Sequence, residues 1–369
     1  MARYGEKEFK TILNKLKYID SWFWARYTIN PYSGCEHACL YCDARSEKYY
    51  LHHDLDNEIY VKKDVKDKLD KRLENARTLL PDVVALGGVC DAYQPAEAIY
   101  KNTRQILEVL DKHKYPVCLS TKSELVLRDL DLYSKIAGET HCTVSFTITT
   151  FNRNKADFFE PVASSPDTRI KALERIKNKY PQIQTGVNFI PIIPFIEDSD
   201  ENLEEVVSLT KTAGCDFILF APGMTLRDSQ ARFFISKMKE SMYRDELEKI
   251  LELYRGNMYP NSRYFFKINR KMLELCEKYN LSFRAQRYIP EDYRRCNYII
   301  AKKLLDQAYF DQITGKPWSA THWAGLHLQN LKESILDVYK RGELKTLKNF
   351  THKVIKYVEP YLRVSGFQS

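Results

Sequence analysis

The chain has 369 residues, 44% of them hydrophobic, enough to bury a full core and to build one large α/β domain with an appendage, or two domains. No run of about 18 apolar residues occurs, so no membrane-spanning helix is expected. The N-terminal stretch MARYGEKEFKTILNKLKYID has neither the apolar core nor the cleavage site of a secretory signal, and the expected location is cytoplasmic. A net charge of +8 is compatible with a nucleic-acid partner and equally with lysine-rich solvated helix faces.

In chain order, the first notable stretch is NPYSGCEHACLYCDAR (30–45), which places Cys35, Cys39 and Cys42 in a turn-rich loop. Helix-like and strand-like runs then alternate. DVKDKLDKRLENARTLL has apolar residues at helical spacing, and DVVALGG (82–88) is a buried-strand run ending in two glycines. AEAIYKNTRQILEVLDKH predicts a helix, YPVCLSTKS (115–123) a strand, RDLDLYSKIAG a helix and CTVSFTITT (142–150) a strand. PDTRIKALERIKNKY predicts a helix opened by Pro166 and Asp167. TGVNFIPIIPF (185–195) is a strand, NLEEVVSLTKTAG a helix and CDFILFAPG (215–223) a strand. Short apolar strands separated by helices indicate an α/β fold with a parallel sheet. Right-handed crossovers wind such a sheet into a barrel or an open doubly wound form.

Near Thr225 the alternation ends, and most of the rest is helical in pattern, with LSFRAQRYIP a candidate short strand. The expected division is an N-terminal extension over 1–27, a core over 28–226 and a mainly helical region over 227–369. Nine cysteines, an odd number, read as ligands, catalytic thiols or buried hydrophobes rather than a disulfide framework. Cys118, Cys142 and Cys215 fall in strand runs and read as core. Cys276 and Cys296 lie in helical patterns without a C-x2-C partner, so a second cluster is not expected.

The spacing C-x3-C-x2-C leaves two metal readings. Structural zinc takes four ligands, usually in paired knuckles; with one group of thiols, a Cys3His site would need His37, His52 or His53. A cubane [4Fe–4S] cluster normally takes four thiolates, and three leave one iron open to a substrate or cofactor.

The loop resembles the signature of the radical S-adenosylmethionine (SAM) superfamily. That resemblance implies a partial (β/α)6 TIM-type barrel with a C-terminal mainly helical region. It implies a [4Fe–4S] cluster on Cys35, Cys39 and Cys42, with SAM bound at the open iron and cleaved to a 5′-deoxyadenosyl radical that abstracts hydrogen. Tyr41, before the third cysteine, takes the place of an aromatic residue near the adenine. Gly87 and Gly88, in LGGVCDAYQPAE, take the place that meets the SAM amino group. An electron donor such as flavodoxin or ferredoxin is implied as well.

The pieces STK, SFTI and FEP…SP…RI resemble the spore photoproduct lyase family, over about Asn30 to Gly223. NPYSGC and DAYQPAE are similar to the broader group labelled DNA repair photolyase. The resemblance carries Lys122 and Ser145 over as SAM contacts, with Arg169 near a carboxylate or holding Glu160. Two departures stand out. Asp43 replaces the aromatic residue after the third cysteine, and Cys90 lies two positions from the family's hydrogen-donating cysteine. Cys90 is thus a candidate hydrogen donor, or a small buried residue. Asp91, Tyr93, Gln94 and Glu97 are candidates to face the cavity and bind substrate, with loop shaping the alternative for Tyr93-Gln94-Pro95. Arg284, Arg287, Arg294 and Arg295 interleave with Phe283, Tyr288 and Tyr293, a mixture suited to phosphate pairing and base stacking or to an amphipathic helix with a basic face. The expected function is a lyase-like radical SAM enzyme acting on a DNA or RNA lesion or nucleotide. The alternatives are a peptide or metabolite substrate, or a non-enzymatic zinc- or cluster-binding protein that recognises nucleic acid.

Overall fold

The computed structural model describes residues 2–52 and 54–363. The chain divides into two compact units: one holds the residues up to Asn14 together with Tyr27–Ala285, the other Lys15–Arg26 together with the residues from Gln286. The division falls after Ala285 rather than near 226.

The first unit is built on a parallel sheet of β1 (Tyr27–Ile29), β2 (Val84–Leu86), β3 (Val117–Thr121), β4 (Cys142–Thr147), β5 (Gln184–Ile192) and β6 (Phe217–Pro222). These strands neighbour one another in chain order and every pairing is parallel. Parallel neighbours need long crossovers. These are α1 (Val65–Glu74), the pair α2 (Ala96–Tyr100) and α3 (Asn102–Lys112), α4 (Leu130–Glu139), the pair α5 (Arg153–Phe159) and α6 (Pro166–Lys179), and α7 (Asp200–Thr212). Such strands are covered on both faces, which is why they read as apolar runs rather than alternations; all six residues of β4 are buried. The helix starts follow the sequence signals. Ser165 accepts the Thr168 N–H at 3.2 Å just before Pro166, and Ser199 does the same for Asn202.

Register places Gly186 beside Phe217. A Cβ at Gly186 would stand 2.4 Å from the Phe217 ring, so β5 approaches that ring only with glycine there. Gly186→Ala is expected to lower the unfolding free energy by about 1–3 kcal/mol through overpacking, measured by urea denaturation.

The chain beyond β6 still belongs to this unit. It forms α8 (Asp228–Lys239), α9 (Arg244–Tyr254) and α10 (Ser262–Lys278) and returns to β6, where the Ile218 N–H donates to the Ser282 carbonyl at 2.8 Å. The expected strand at LSFRAQRYIP is only this single bridge. A small sheet, Arg3–Lys7 parallel to Glu58–Lys62 and Tyr32–Ser33 antiparallel to it, flanks the cysteine loop.

The second unit is helical: α11 (Arg294–Ile313), α12 (Ser319–Leu328), α13 (Ile335–Lys340) and α14 (His352–Arg363). Its core gathers Ile300, Leu304, Ala324, Leu328, Ile335, Val354 and Val358. Arg287 and Arg294 are buried, and both lie over the Tyr298 ring. Arg284, in the first unit, is buried too, and Arg295 pairs with Glu291. Three of the four arginines in this segment are therefore packed into the protein, and Arg295 stays exposed. Among the described residues no helix is long and apolar enough to cross a membrane.

Candidate active site

The cysteine loop leaves β1 and is clasped by the turn that follows β2. Gly34 has φ +92°, and a Cβ there would lie 2.7 Å from the Glu58 carbonyl, so the entry to the loop requires glycine. The Cys35 N–H donates to the Leu55 carbonyl at 2.7 Å. The DAYQPAE residues do the clasping. Gln94 donates to the Gly34 carbonyl at 3.1 Å and accepts the Glu36 N–H at 3.0 Å. Glu36 in turn accepts the Ala96 N–H and the Tyr4 hydroxyl. Glu97 accepts from the Tyr32 hydroxyl and from the Thr103 N–H, and the Tyr93 hydroxyl donates to Asp129. Gln94 thus holds the cysteine loop directly, in keeping with the loop-shaping role.

Asp91 stands at the junction. Its N–H points at the Cys35 Sγ at 3.4 Å. Its carboxylate lies 3.2 Å from the His37 Nε2 and accepts from the Thr121 hydroxyl and from the N–H groups of Lys122 and Tyr93. Burial pushes this carboxyl up, but His37 and the hydrogen bonds outweigh burial and hold its pKa at about 2. It is thus an anion that fixes His37, the first cysteine and the end of β3 together. Asp91→Asn, which removes that charge, is expected to weaken iron retention by about 10–100-fold, the usual cost of removing a supporting partner. Iron release to a chelator under anaerobic conditions measures it.

The other face of the loop meets the ends of β3, β4 and β6. The Leu40 N–H donates to the Phe159 carbonyl at 3.0 Å. The Tyr41 hydroxyl donates to Glu160, which pairs with Arg169 at 2.5 Å. Arg169 is 1% exposed and also donates to the carbonyls of Ser164 and Thr147. Burial alone would raise the Glu160 carboxyl, yet Arg169 and Lys122 hold it below its ordinary value. The Lys122 ammonium lies 5.5 Å from the centre of the Tyr41 ring; burial disfavours its charge, but Cys39 and Glu160 outweigh that and keep it protonated. Asp43, the departure from the aromatic pattern, accepts from Thr225 (2.7 Å), Arg227 (2.5 Å) and Tyr49 (2.8 Å). It ties the end of the loop to the segment leaving β6.

The structure therefore brings Tyr41, Lys122 and Arg169 together around Glu160. Ser145 is fully buried, donating to the Leu119 carbonyl and accepting from Asn188. Asn188 also donates to Ser120 at 2.7 Å, and its Oδ1 is buried without a hydrogen-bond partner. Gly87 has φ +79°, and a Cβ there would sit 2.6 Å from the Cys90 carbonyl, whereas a Cβ on Gly88 meets only Asn30 Oδ1, at 3.8 Å. Cys90 packs among Tyr32, Ile59, Val61 and Ala96. Sequence reasoning did not single out Asn188 or the His37–Asp91 pair. An amide inside the apolar run TGVNFIPIIPF was the available signal for the first.

The donor set suits a cluster better than zinc. The nine cysteines are free thiols. Structural zinc takes four ligands, and the loop supplies three thiols. Asp70, Glu74 and His113 do gather elsewhere, but Lys112 already neutralises those carboxylates. His37 faces Asp91, His52 bonds to the Glu58 carbonyl, and His53 lies outside the described residues.

A three-thiol loop at the carboxyl ends of parallel strands defines a class, and comparison with known proteins agrees: residues 29–210 match the radical SAM superfamily, and the chain belongs to it. Members of that superfamily use a [4Fe–4S] cluster and S-adenosylmethionine. An uncharacterised protein of Methanocaldococcus jannaschii is 34% identical over 195 residues, 53% of this chain and 71% of that protein. An uncharacterised protein of Mycobacterium tuberculosis is 28% identical over 261 residues, 70% of this chain and 75% of that one. In fold, the chain is similar to a cysteine-to-serine mutant of spore photoproduct lyase, with TM-score 0.56 and 17% identity over 75% of this chain and 79% of the lyase. It is also similar to a double mutant of that lyase solved with AdoMet and dinucleoside spore photoproduct, with TM-score 0.53 and 17% identity over 69% and 74% of the two chains.

Proposed function

We propose that this protein is a radical SAM enzyme that abstracts hydrogen from a nucleic acid or nucleotide-like substrate. The observation that carries the reading is the loop of Cys35, Cys39 and Cys42, pinned by Asp91 and Asp43 at the carboxyl ends of the strands, where barrel enzymes keep their active sites. The substrate class draws support from the fold shared with a lyase solved with bound dinucleoside spore photoproduct. In this reading the cluster sits on the three thiols, and bound SAM supplies the 5′-deoxyadenosyl radical.

The chain's own groups then hold and shield. Gly87 lets the turn after β2 close on itself, and Gly88, whose Cβ would meet only Asn30 Oδ1, leaves the backbone there approachable by a ligand. Lys122 presents a cation at the end of β3, suited to a carboxylate or phosphate. Asn188 offers an unpartnered carbonyl oxygen, positioned by Ser120 and Ser145. Tyr41, fixed by Glu160 and Arg169, walls the loop. Cys90, beside Cys35, is the candidate hydrogen donor; its burial restricts it to a radical formed in the immediate cleft.

Anaerobic reconstitution tests the reading. About four irons per chain, dithionite-bleached brown absorbance and release of 5′-deoxyadenosine from SAM are expected. Deuterium should pass from a labelled dinucleotide into that product. Zinc loading without SAM cleavage would refute the enzyme assignment, and label arriving only from peptides or metabolites would refute the substrate class.

A further inference from the structure

In the second unit, α12 carries a line of aromatic rings. Trp318 meets His322 edge-on at 5.3 Å, and His322 meets Trp323 at 5.7 Å. Trp323 stacks on His327 at 6.0 Å and 26°, and Tyr18 closes on both edge-on at 6.0 and 5.7 Å. The opposite face of α12 is already spent: Ala324 and Leu328 lie in the core, and Gly325 lets the helix press against Leu305, where a Cβ would come within 2.8 Å. The aromatic face is thus the outward one, and Trp323 is 43% exposed.

Two lysines stand by these rings. Lys17 lies 5.5 Å from the centre of the Tyr18 ring. Burial, and then the positive fields of Lys348 and Lys17, lower the His327 pKa, so at neutral pH its ring is an uncharged stacking surface. Among the described residues neither lysine pairs with a carboxylate. Exposed stacked rings beside unpaired cations match unpaired bases linked by phosphates. A second copy of this face would bring lysine against lysine.

We propose that the Trp318–His327 face of α12, with Tyr18, Lys17 and Lys348, binds single-stranded nucleic acid, bases stacking on Trp323 and phosphates lying at the two lysines. The inference rests on the substrate class proposed above.

Fluorescence anisotropy of a fluorescein-labelled oligothymidylate, alone and annealed to oligoadenylate, tests it on the full-length reconstituted protein across a salt series. The single strand should bind more tightly than the duplex. Trp323→Ala should weaken binding about 10-fold or more, the effect of depriving one base of its stacking partner, and Trp323→Phe should restore most of it. Lys17→Gln with Lys348→Gln should reduce the log–log salt slope by about 0.7 for each phosphate left without its lysine. 5′-Deoxyadenosine formation without substrate should be unchanged in all three variants. Equal affinity in Trp323→Ala, a salt slope unmoved by the lysine changes, or loss of self-association in place of oligonucleotide binding would overturn the proposal. Should labelled dinucleotide still deliver deuterium while no strand binds, this site falls and the substrate reading stands. Should the strand bind as described while no nucleotide ever delivers label, the substrate reading falls and the site stands.

Discussion

Cys39→Ala should leave a folded protein that cannot hold its cluster. Cys39 is buried beside Leu40, Tyr41 and Phe159, so the change removes a small side chain and creates little void. Its chemical consequence is much larger. Losing a supporting partner of a metal ligand costs about 10–100-fold in affinity or activity, so losing one of the three proposed ligands should exceed about 100-fold. Iron content, visible absorbance and 5′-deoxyadenosine release should fall together, while far-ultraviolet circular dichroism stays near the parent's. Retention of iron and turnover in this variant would remove the basis for the assigned site.

Arg169→Met carries the second large effect, on stability. The Glu160–Arg169 pair is almost wholly buried, and removing one partner strands a carboxylate among Tyr41, Phe159 and the strand ends. Breaking such a pair costs about 3–5 kcal/mol, readable in urea denaturation at neutral pH. The pH dependence has a definite sign. In the parent, Arg169 and Lys122 depress the Glu160 pKa against burial. The stability this contributes is present above the unfolded carboxylate pKa and is lost as pH falls through the lower folded value. In the variant the main depressing charge is gone and burial favours the neutral acid. Its deficit should therefore shrink on moving from neutral toward acid pH. Adding Glu160→Gln should recover part of the loss at pH 7. A deficit that is independent of pH would indicate poorer packing rather than an uncompensated charge.

Much of the first unit was readable from residue order. Most of the apolar runs that became β2 to β6 were bounded by glycine, proline or a helix-capping serine, and a strand buried on both faces needs no partner information to look apolar. The helical character of the second unit was equally plain from its periodicity. The boundary between units was not, because α8, α9 and α10 have the same amphipathic pattern whether they cover a sheet or each other. The arginine-rich segment was ambiguous for a related reason. Arginine beside tyrosine describes a base-stacking surface and a buried cation–π contact alike, and only the fold places the Tyr298 ring beneath Arg287 and Arg294. The rings of α12 went unremarked because Trp318, His322, Trp323 and His327 form a line only once the helix has turned and Tyr18, some 300 residues earlier, has met them.

The order of residues alone determined the chemistry that three thiols at Cys35, Cys39 and Cys42 can support, the α/β alternation that carries them, and the glycines that open the loop and the β2 turn. These depend on spacing within one turn or one strand, which covalent geometry and local periodicity dictate. Packing alone decided that Tyr41 meets Glu160 119 positions away, that Asp43 reaches Thr225 and Arg227, that Asp91 joins His37 to Thr121, and that Asn188 keeps a free oxygen between two serines. Those contacts arise where distant segments are buried together, and a buried polar group must find whichever partner the fold brings within reach.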